Sequence, residues 1–448
     1  MIKALHTSDW HLGAQLYEKD RLEEQRLFLS WLAKTIETEK IRVLVISGDI
    51  FDNYAPSVPA QTLYYEFLAG MLKLKTPLEI FIIAGNHDSP QFLNAPKEIL
   101  SHLQIHIVSD LTLDTLPNPD NEGSSLDGFE HEIFEIKNEK NIPLLAVCAV
   151  PFLRERDLKL ITDLGSDSAD AAVKYRDAAA AHYRRVVERA RKKIPGVPVL
   201  VTGHLFLSGA VLSDDTSERL REVGKLSSLP ADMLPEADYY ALGHLHRPQC
   251  IAGNERRRYS GSPIAMSFSE AGQDKSVVII EFDSAMGQYD LFSSTESSVL
   301  EWMPRIELRA IPRFSELEQI RGDTETIRKR LAEIQAADEK VFIDIQVTSC
   351  AGNIYDFWDE VNNIKAEALE KRSRFSILAA QDKRTAAENT PLPETLTEVS
   401  SLQPVDVFVR KLEAENITED EREIFTAMFR EIEELVRRCG SEDSEAEQ

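Results

Sequence analysis

Five short segments carry side chains that could hold metal ions: Asp9-Trp10-His11, Gly48-Asp49-Ile50-Phe51-Asp52, Gly85-Asn86-His87-Asp88, Gly203-His204 and Gly243-His244-Leu245-His246. Each follows an apolar run, so each ligand projects from a strand end or from the loop after it, where α/β folds place their sites. Carboxylate, amide and imidazole donors without thiolate suit Mn²⁺ or Fe²⁺, and also Zn²⁺ or Mg²⁺; Mn²⁺ leads. On extended backbone Asp9 and His11 can point the same way, as can His244 and His246, so each pair can grip an ion from one side. The glycines at 48, 85, 203 and 243 permit tight turns and close backbone approach beside the ions. A Gly-His dipeptide alone means nothing; five ordered segments together point to a metal-dependent reaction. His6, inside an apolar run, reads as a core residue, and His102, His106, His131 and His182 have no supporting neighbours.

The elements that must position these residues alternate. Residues 2–8 and 41–47 read as buried strands around a helix over 20–37; a helix over 60–74 leads to the strand 78–84. The runs 144–150, 197–203, 237–243 and 277–282 read as further strands, with a helix over 171–193. Strand and helix in alternation imply an α/β core with functional loops along one edge of the sheet. The polar insert 112–131 reads as an exposed loop. No histidine follows the run 277–282, and the catalytic domain is set at 1–283. A second domain, 300–380, is expected as a compact β-α-β-α-β unit with strands at 303–312, 341–348 and 373–380 and helices at 314–337 and 354–371. The Thr-, Pro- and Glu-rich stretch 381–404 reads as a linker. Two amphipathic helices follow, 405–414 and 418–438, too few for a core of their own and so suited to a docking partner. The tail 439–448 has the composition of a disordered acidic segment.

Net charge −25 argues against autonomous nucleic-acid binding, because affinity for phosphate backbones comes mainly from Lys and Arg. Bound divalent cations invert the local field, however, and a basic partner could supply the rest. Basic residues gather at Arg184, Arg185 and onward to Lys193, and at Arg256, Arg257 and Arg258; each group could line a phosphate path, but a solvated helix face or a hairpin turn explains them as well. The four cysteines form no CxxC pair, which argues against a disulfide scaffold and fits a reducing cytoplasm. No leader pattern opens the sequence and no run is long enough to span a membrane.

The ordered set D-x-H, GD, GNH, GH and GH-x-H resembles the calcineurin-like metallophosphoesterase pattern over roughly the first 280 residues. The resemblance implies a metallophosphoesterase sandwich. It further implies one ion at Asp9, His11 and His246, a second at Asn86, His204 and His244, and Asp49 bridging the two. His87 would then face the scissile phosphate, where its proton can meet developing charge. Asp52 matches the position that orients this histidine. For Asp88 two readings stand: a site residue, or a turn former bonding the local backbone.

Within that superfamily, TSDWHLG, SGDIFDNYAPS, AGNHDSP, GHLHRPQ and YSGSPIAMSFSE resemble the SbcD-type nuclease subunits, and the likeness continues through the small capping domain to the terminal helix pair. It implies a DNA exonuclease and endonuclease acting on double-stranded ends and hairpins with two divalent ions. It also implies a homodimer formed through the first helices, a capping domain that contacts DNA, and a helix pair that docks the coiled coil of an SbcC-type ABC ATPase. Leu412, Ile424, Phe425, Phe429, Ile432 and Leu435 could supply that docking face. No GxxxxGK[ST] loop is present, so ATP belongs to the partner. The competing expectations are a phosphatase or cyclic-nucleotide phosphodiesterase with the same metal pair, and a DNA-end tethering scaffold.

Overall fold

The structure is a computed structural model that describes residues 1–74, 76–111, 130–154, 157–158, 168–211, 228–283, 287–288, 301–337, 340–350, 353–371, 373–384 and 429. The chain divides into two compact units, Met1–Gln381 and Asp382–Gln448. Most of the expected insert 112–131, the linker after Arg384, the helix pair and the acidic tail lie outside the described residues, and with them Leu412, Ile424, Phe425, Ile432 and Leu435. Phe429 is described as helical and half-buried.

Ile2–Thr7 (β1) and Val43–Ser47 (β2) pair in parallel, and every residue of β2 is buried. A strand apolar on both faces is stable only between covered surfaces, which is the signature of a parallel α/β sheet. Glu79–Ile83 (β3) and Ile105–Val108 (β4) extend it in parallel. A second sheet contains Ile133–Lys137 (β5), Pro143–Val150 (β6), Val199–His204 (β7), Tyr239–Gly243 (β8), Gln249–Ile251 (β9) and Asn254–Tyr259 (β10) in the order β9-β10-β8-β7-β6-β5. Ser276–Phe282 (β11) and Arg305–Ala310 (β12) complete the first sheet as antiparallel additions, giving the order β12-β11-β1-β2-β3-β4.

The two sheets share a core in which Ala4, Val45 and Phe81 meet Val147, Leu200 and Ala241. Leu22–Glu39 (α1) and Val58–Met71 (α2) supply Phe28, Leu32, Leu63 and Phe67 to the other side of the first sheet. Ser168–Lys193 (α3) supplies Tyr183, Val186 and Ala190 to the other side of the second. The helix ends follow local rules: Ser57 caps α2 by accepting from Ala60 N with Pro59 just inside, and Lys40 closes α1 in the left-handed region. The arrangement is a mixed α/β sandwich.

The region after residue 300 differs from expectation in two ways. The strand expected at 303–312 is β12, and it hydrogen-bonds to β11 with Ile306 opposite Ile280 rather than joining the small unit. The helix expected over 314–337 begins with a strand, Glu316–Asp323 (β13), before the helix Thr324–Ala337 (α4). β13 has one fully buried residue, Ile320, and its polar sequence carries little strand signal; parallel pairing with Val341–Ser349 (β14) decides its state. With Ile354–Glu370 (α5) and Ser376–Asp382 (β15), β13 and β14 form a three-stranded sheet under two helices, cored by Ile327, Leu331, Ile345 and Phe357. The expected linker therefore begins inside a strand, since β15 reaches Asp382.

Candidate metal centre

Parallel pairing puts the carboxyl ends of β1, β2 and β3 on one edge of the first sheet, and those of β7 and β8 on one edge of the second. Bonds between the sheets bring these edges together. Ser47 Oγ lies 2.9 Å from Thr202 Oγ1 and donates to Ala241 O at 3.1 Å, and His6 reaches Tyr239 Oη at 3.2 Å and Leu242 O at 3.1 Å. His6 is thus a buried inter-sheet tie, and burial lowers its pKa to about 3.

The strand ends turn sharply. Asp9, His11, Asp49 and His244 all have positive φ, at 52°, 44°, 50° and 108°. Non-glycine residues in that region carry strain that only a surrounding structure can sustain, and such positions gather at functional sites. Gly48 has φ 86° and lies so close to the neighbouring loop that a Cβ would stand 2.9 Å from the Gly85 backbone. At Gly85 a Cβ would strike the Asp49 carboxylate.

All nine expected site residues meet at this edge. Ligand atoms of Asp9, His11 and His246 lie within 4.8 Å of one another, as do those of Asp9, Asp49 and His204, and those of His11, Asp52 and His87. Asp49 Oδ2 stands 3.6 Å from His11 Nε2 and 3.4 Å from His204 Nε2, between the two groups. On the far side the Asn86 amide oxygen lies 3.0 Å from His204 Nε2 and 2.9 Å from His244 Nδ1. Bonds outside the cluster aim the rings: His204 Nδ1 donates to Ser47 O at 2.8 Å, and His246 Nδ1 lies 3.3 Å from Glu270 Oε1. Such bonds fix a tautomer and turn the other nitrogen toward a metal.

Three atoms here, His11 Nδ1, His11 Nε2 and Asp49 Oδ2, are buried and make no hydrogen bond among the described residues. A buried polar group without a partner costs about 1–3 kcal/mol. Two buried carboxylates, an amide oxygen and converging imidazoles with orphaned lone pairs are what hard to borderline divalent cations satisfy, so the residues present fit a metal pair. Electrostatics agree. Burial pushes the Asp9 carboxyl up from its ordinary range, His204 pulls it back and the charge of Asp49 raises it again. Asp49 ends well below that range, because His204, His11 and His87 outweigh its burial. Asp49 in turn raises His204 against the lowering effect of burial.

His87 sits at the open side, half-buried, with its backbone N–H on Asp49 Oδ1 at 2.9 Å. Its Nδ1 meets the main-chain carbonyl of Asp52 at 2.7 Å, while the Asp52 carboxylate lies 3.4 Å from His11 Nδ1. Asp52 therefore supports His87 through its backbone, a contact that residue type alone does not foretell. Asp88 is the turn former of the two readings. Fully buried, its carboxylate accepts from Gly85 N at 2.8 Å, Phe51 N at 3.0 Å and Ile50 N at 3.2 Å, which ties two ligand loops together.

Two supporting groups were not legible in the sequence. Arg154, after β6, donates to Asp88 O at 3.0 Å and Gly85 O at 3.4 Å and braces the Asn86 loop. Glu270, behind His246, is buried and receives Lys275 Nζ at 2.5 Å. Lys275 also donates to His246 O at 2.9 Å. Arg154 belongs to no short motif, and although Glu270 closes the run YSGSPIAMSFSE, nothing in that run tells that its carboxylate stands behind His246.

The arginines singled out from the sequence are elsewhere. Arg184 and Arg185 are exposed on α3. Arg257 donates to Ala231 O at 2.6 Å and to Glu236 Oε1 at 3.0 Å, before β8 begins, whereas His244 follows its end. A strand of that length separates the two by roughly 15 Å. Arg256 is half-buried on β10, in the hairpin that was the competing reading.

Comparison with known proteins fits this geometry. The calcineurin-like phosphoesterase family matches residues 2–248. The chain is 28% identical over 433 residues to the SbcD subunit of nuclease SbcCD from Escherichia coli, covering 96% of this chain and 97% of that protein. It is 34% identical to the SbcD protein of Rhodobacter capsulatus and 35% to that of Bacillus subtilis, each over 284 residues, covering 62% of this chain and 66% of the relative. With more than half its length matched to the family and a fitting donor set at its strand ends, the chain belongs to the calcineurin-like phosphoesterases, as a metal-dependent phosphodiesterase of the SbcD nuclease type.

Proposed function

We propose that the chain is the nuclease subunit of a complex that cleaves double-stranded DNA ends and hairpins with two Mn²⁺ ions. The carrying observation is Asp49, whose orphaned Oδ2 stands between the His11 side and the His204 side of one buried donor cluster. In this reading Asp9, His11 and His246 would hold one ion and Asn86, His204 and His244 the other, with Asp49 contributing to both. Such a pair lowers the pKa of water toward neutrality and offsets charge on the phosphoryl oxygens. The chain's own residues do the rest. His87, held through Nδ1 by the Asp52 carbonyl, presents its other nitrogen to the scissile phosphate and donates a proton toward the leaving oxygen. Arg154 and Asp88 keep the Asn86 loop in place while charge develops.

The wider assignment rests on the names of the relatives and on charge. Those relatives are subunits of a complex called SbcCD, and a chain of net charge −25 needs a partner to hold DNA firmly. In this proposal an SbcC-type ABC ATPase docks on the helix pair 405–438. The unit built on β13, β14 and β15 caps the site and contacts DNA, α1 and α2 form a homodimer, and the complex works in the cytoplasm.

The test uses the full chain with its ATPase partner and an end-labelled hairpin in Mn²⁺. Cleavage is expected from the wild type, none from Asp49→Ala with loss of bound metal, and a rate roughly 10²–10⁴-fold lower from His87→Ala with metal retained. A wild-type complex that turns over small phosphoesters but leaves DNA intact would overturn the reading.

A further inference from the structure

Beside His204 and His244 lies a pocket that no step above uses. Phe152, Tyr175, Tyr183, Leu205, Phe206 and Leu229 are among the residues that line it. Tyr183 is 1% exposed and its hydroxyl makes no hydrogen bond among the described residues. Phe152 and Phe206 are only half-buried. Their ring centroids stand 6.0 Å from that of His204 and 6.5 Å from that of His244, so the aromatic walls run directly into the two imidazoles. Arg176, also in the lining, is ion-paired at 3.5 Å with its neighbour Asp177, an exposed side chain that holds it weakly.

We propose that this pocket receives an unpaired nucleobase, that of the nucleotide flanking the scissile phosphate on the Asn86, His204 and His244 side. The inference rests on the nuclease reading given above. Aromatic rings at half exposure together with a guanidinium in the same lining are the complement of a planar base with a polar edge. The position follows from the chain chemistry of a nucleotide, whose base is one sugar away from its phosphate. Energetics then set the preference. Stacking on an aromatic side chain raises affinity roughly tenfold to a hundredfold per base. Extracting a base from an intact duplex costs a comparable factor, and little for a base already unpaired. The pocket therefore adds net affinity only for hairpin loops, frayed ends and single-stranded stretches, and it selects these over the interior of a duplex.

The test compares hairpins that carry either a normal nucleotide or a tetrahydrofuran abasic residue at successive positions around the cleaved bond. At one position the wild-type complex is expected to cleave the base-bearing hairpin roughly tenfold to a hundredfold faster under single-turnover conditions. Phe206→Ala should bring that ratio close to one. A measurement on the wild-type chain does not depend on how the variant folds: in Mg²⁺, saturation-transfer NMR with deoxyadenosine monophosphate should show transfer from aromatic side chains to base protons. In the same conditions 2-deoxyribose 5-phosphate should bind more weakly by a similar factor. The subsite is overturned if the wild type cleaves both hairpins equally at every position, if Phe206→Ala keeps the wild-type ratio in a folded protein, or if the two monophosphates bind alike. Cleavage of neither hairpin by the wild-type complex would instead remove the nuclease reading itself, and the subsite with it.

Discussion

Glu270 shows how a residue outside the metal cluster can govern it. Its carboxylate aims His246 from behind and neutralises Lys275, whose ammonium is also buried. Burial pushes the Glu270 pKa up, but the Lys275 charge and the His246 contact bring it down to about 2. Removing one member of a buried charged pair leaves the other uncompensated, so Glu270→Gln is expected to lose about 3–5 kcal/mol of stability in urea titrations. In Glu270→Gln with Lys275→Met most of that stability returns, yet Mn²⁺ affinity by calorimetry stays roughly 10–100-fold down, the usual loss when a ligand's outer partner is removed. Recovery of full metal affinity in the double variant would show that Glu270 acts on packing alone. His6 carries a second prediction. Its pKa is depressed in the fold, so the unfolded chain binds the extra proton; its contribution is intact above pH 6.5 and is lost as pH falls toward about 3. Between pH 7 and 5 this lowers stability by about 2 kcal/mol, a slope that His6→Gln should flatten in chemical denaturation at the two pH values.

At the level of elements, the site depends on loops that are locked to one another. Asp88 accepts three backbone N–H groups, one from the Gly85 loop and two from the segment after Asp49, and so holds the Asn86 and Asp49 ligands in register. Asp88→Ala leaves those donors buried without partners, and a loss of about 1–3 kcal/mol is expected for the most buried of them. The same variant should bind metal more weakly although Asp88 touches no ion; unchanged metal affinity with a normal melting temperature would refute the locking role. The ends of β2 and β3 also approach too closely for side chains at Gly48 and Gly85, which is why the motif glycines there are spatial requirements as well as turn formers. β13 teaches the opposite lesson: its residues accept a strand only because β14 offers a parallel edge.

For the whole molecule the decisive quantity is charge. With 51 basic and 76 acidic residues, the isolated chain is expected to bind duplex DNA weakly, and the proposed ATPase partner to supply most of the counterion release. Filter binding across a salt series would then show a shallow slope for the chain alone and a steep one for the complex. A chain ended after Arg384 keeps β15 and the whole of the first unit, Met1–Gln381. It should melt as the full chain does and bind Mn²⁺ equally well, but fail to co-elute with the ATPase in size exclusion. Co-elution of the shortened chain would place the docking surface elsewhere. Among the described residues no helix is long and apolar enough to cross a membrane.

The ligand types and the strands that carry them were readable from the chain, because buried parallel strands are uninterrupted apolar runs and metal donors cluster where such runs stop. Val43–Ser47 followed by Gly48-Asp49 is the plainest case. What the order of residues does not contain is distance. That Asp49 Oδ2 lies between His11 and His204, that a main-chain carbonyl holds His87, and that Glu270, Arg154 and the pocket lined by Phe206 stand around the ligands all depend on two sheets packing face to face with their strand ends side by side. Local pattern encodes the period of each element, whereas the pairing of edges is settled by long-range packing, which is also why Arg305–Ala310 joined a sheet that its own residues do not announce.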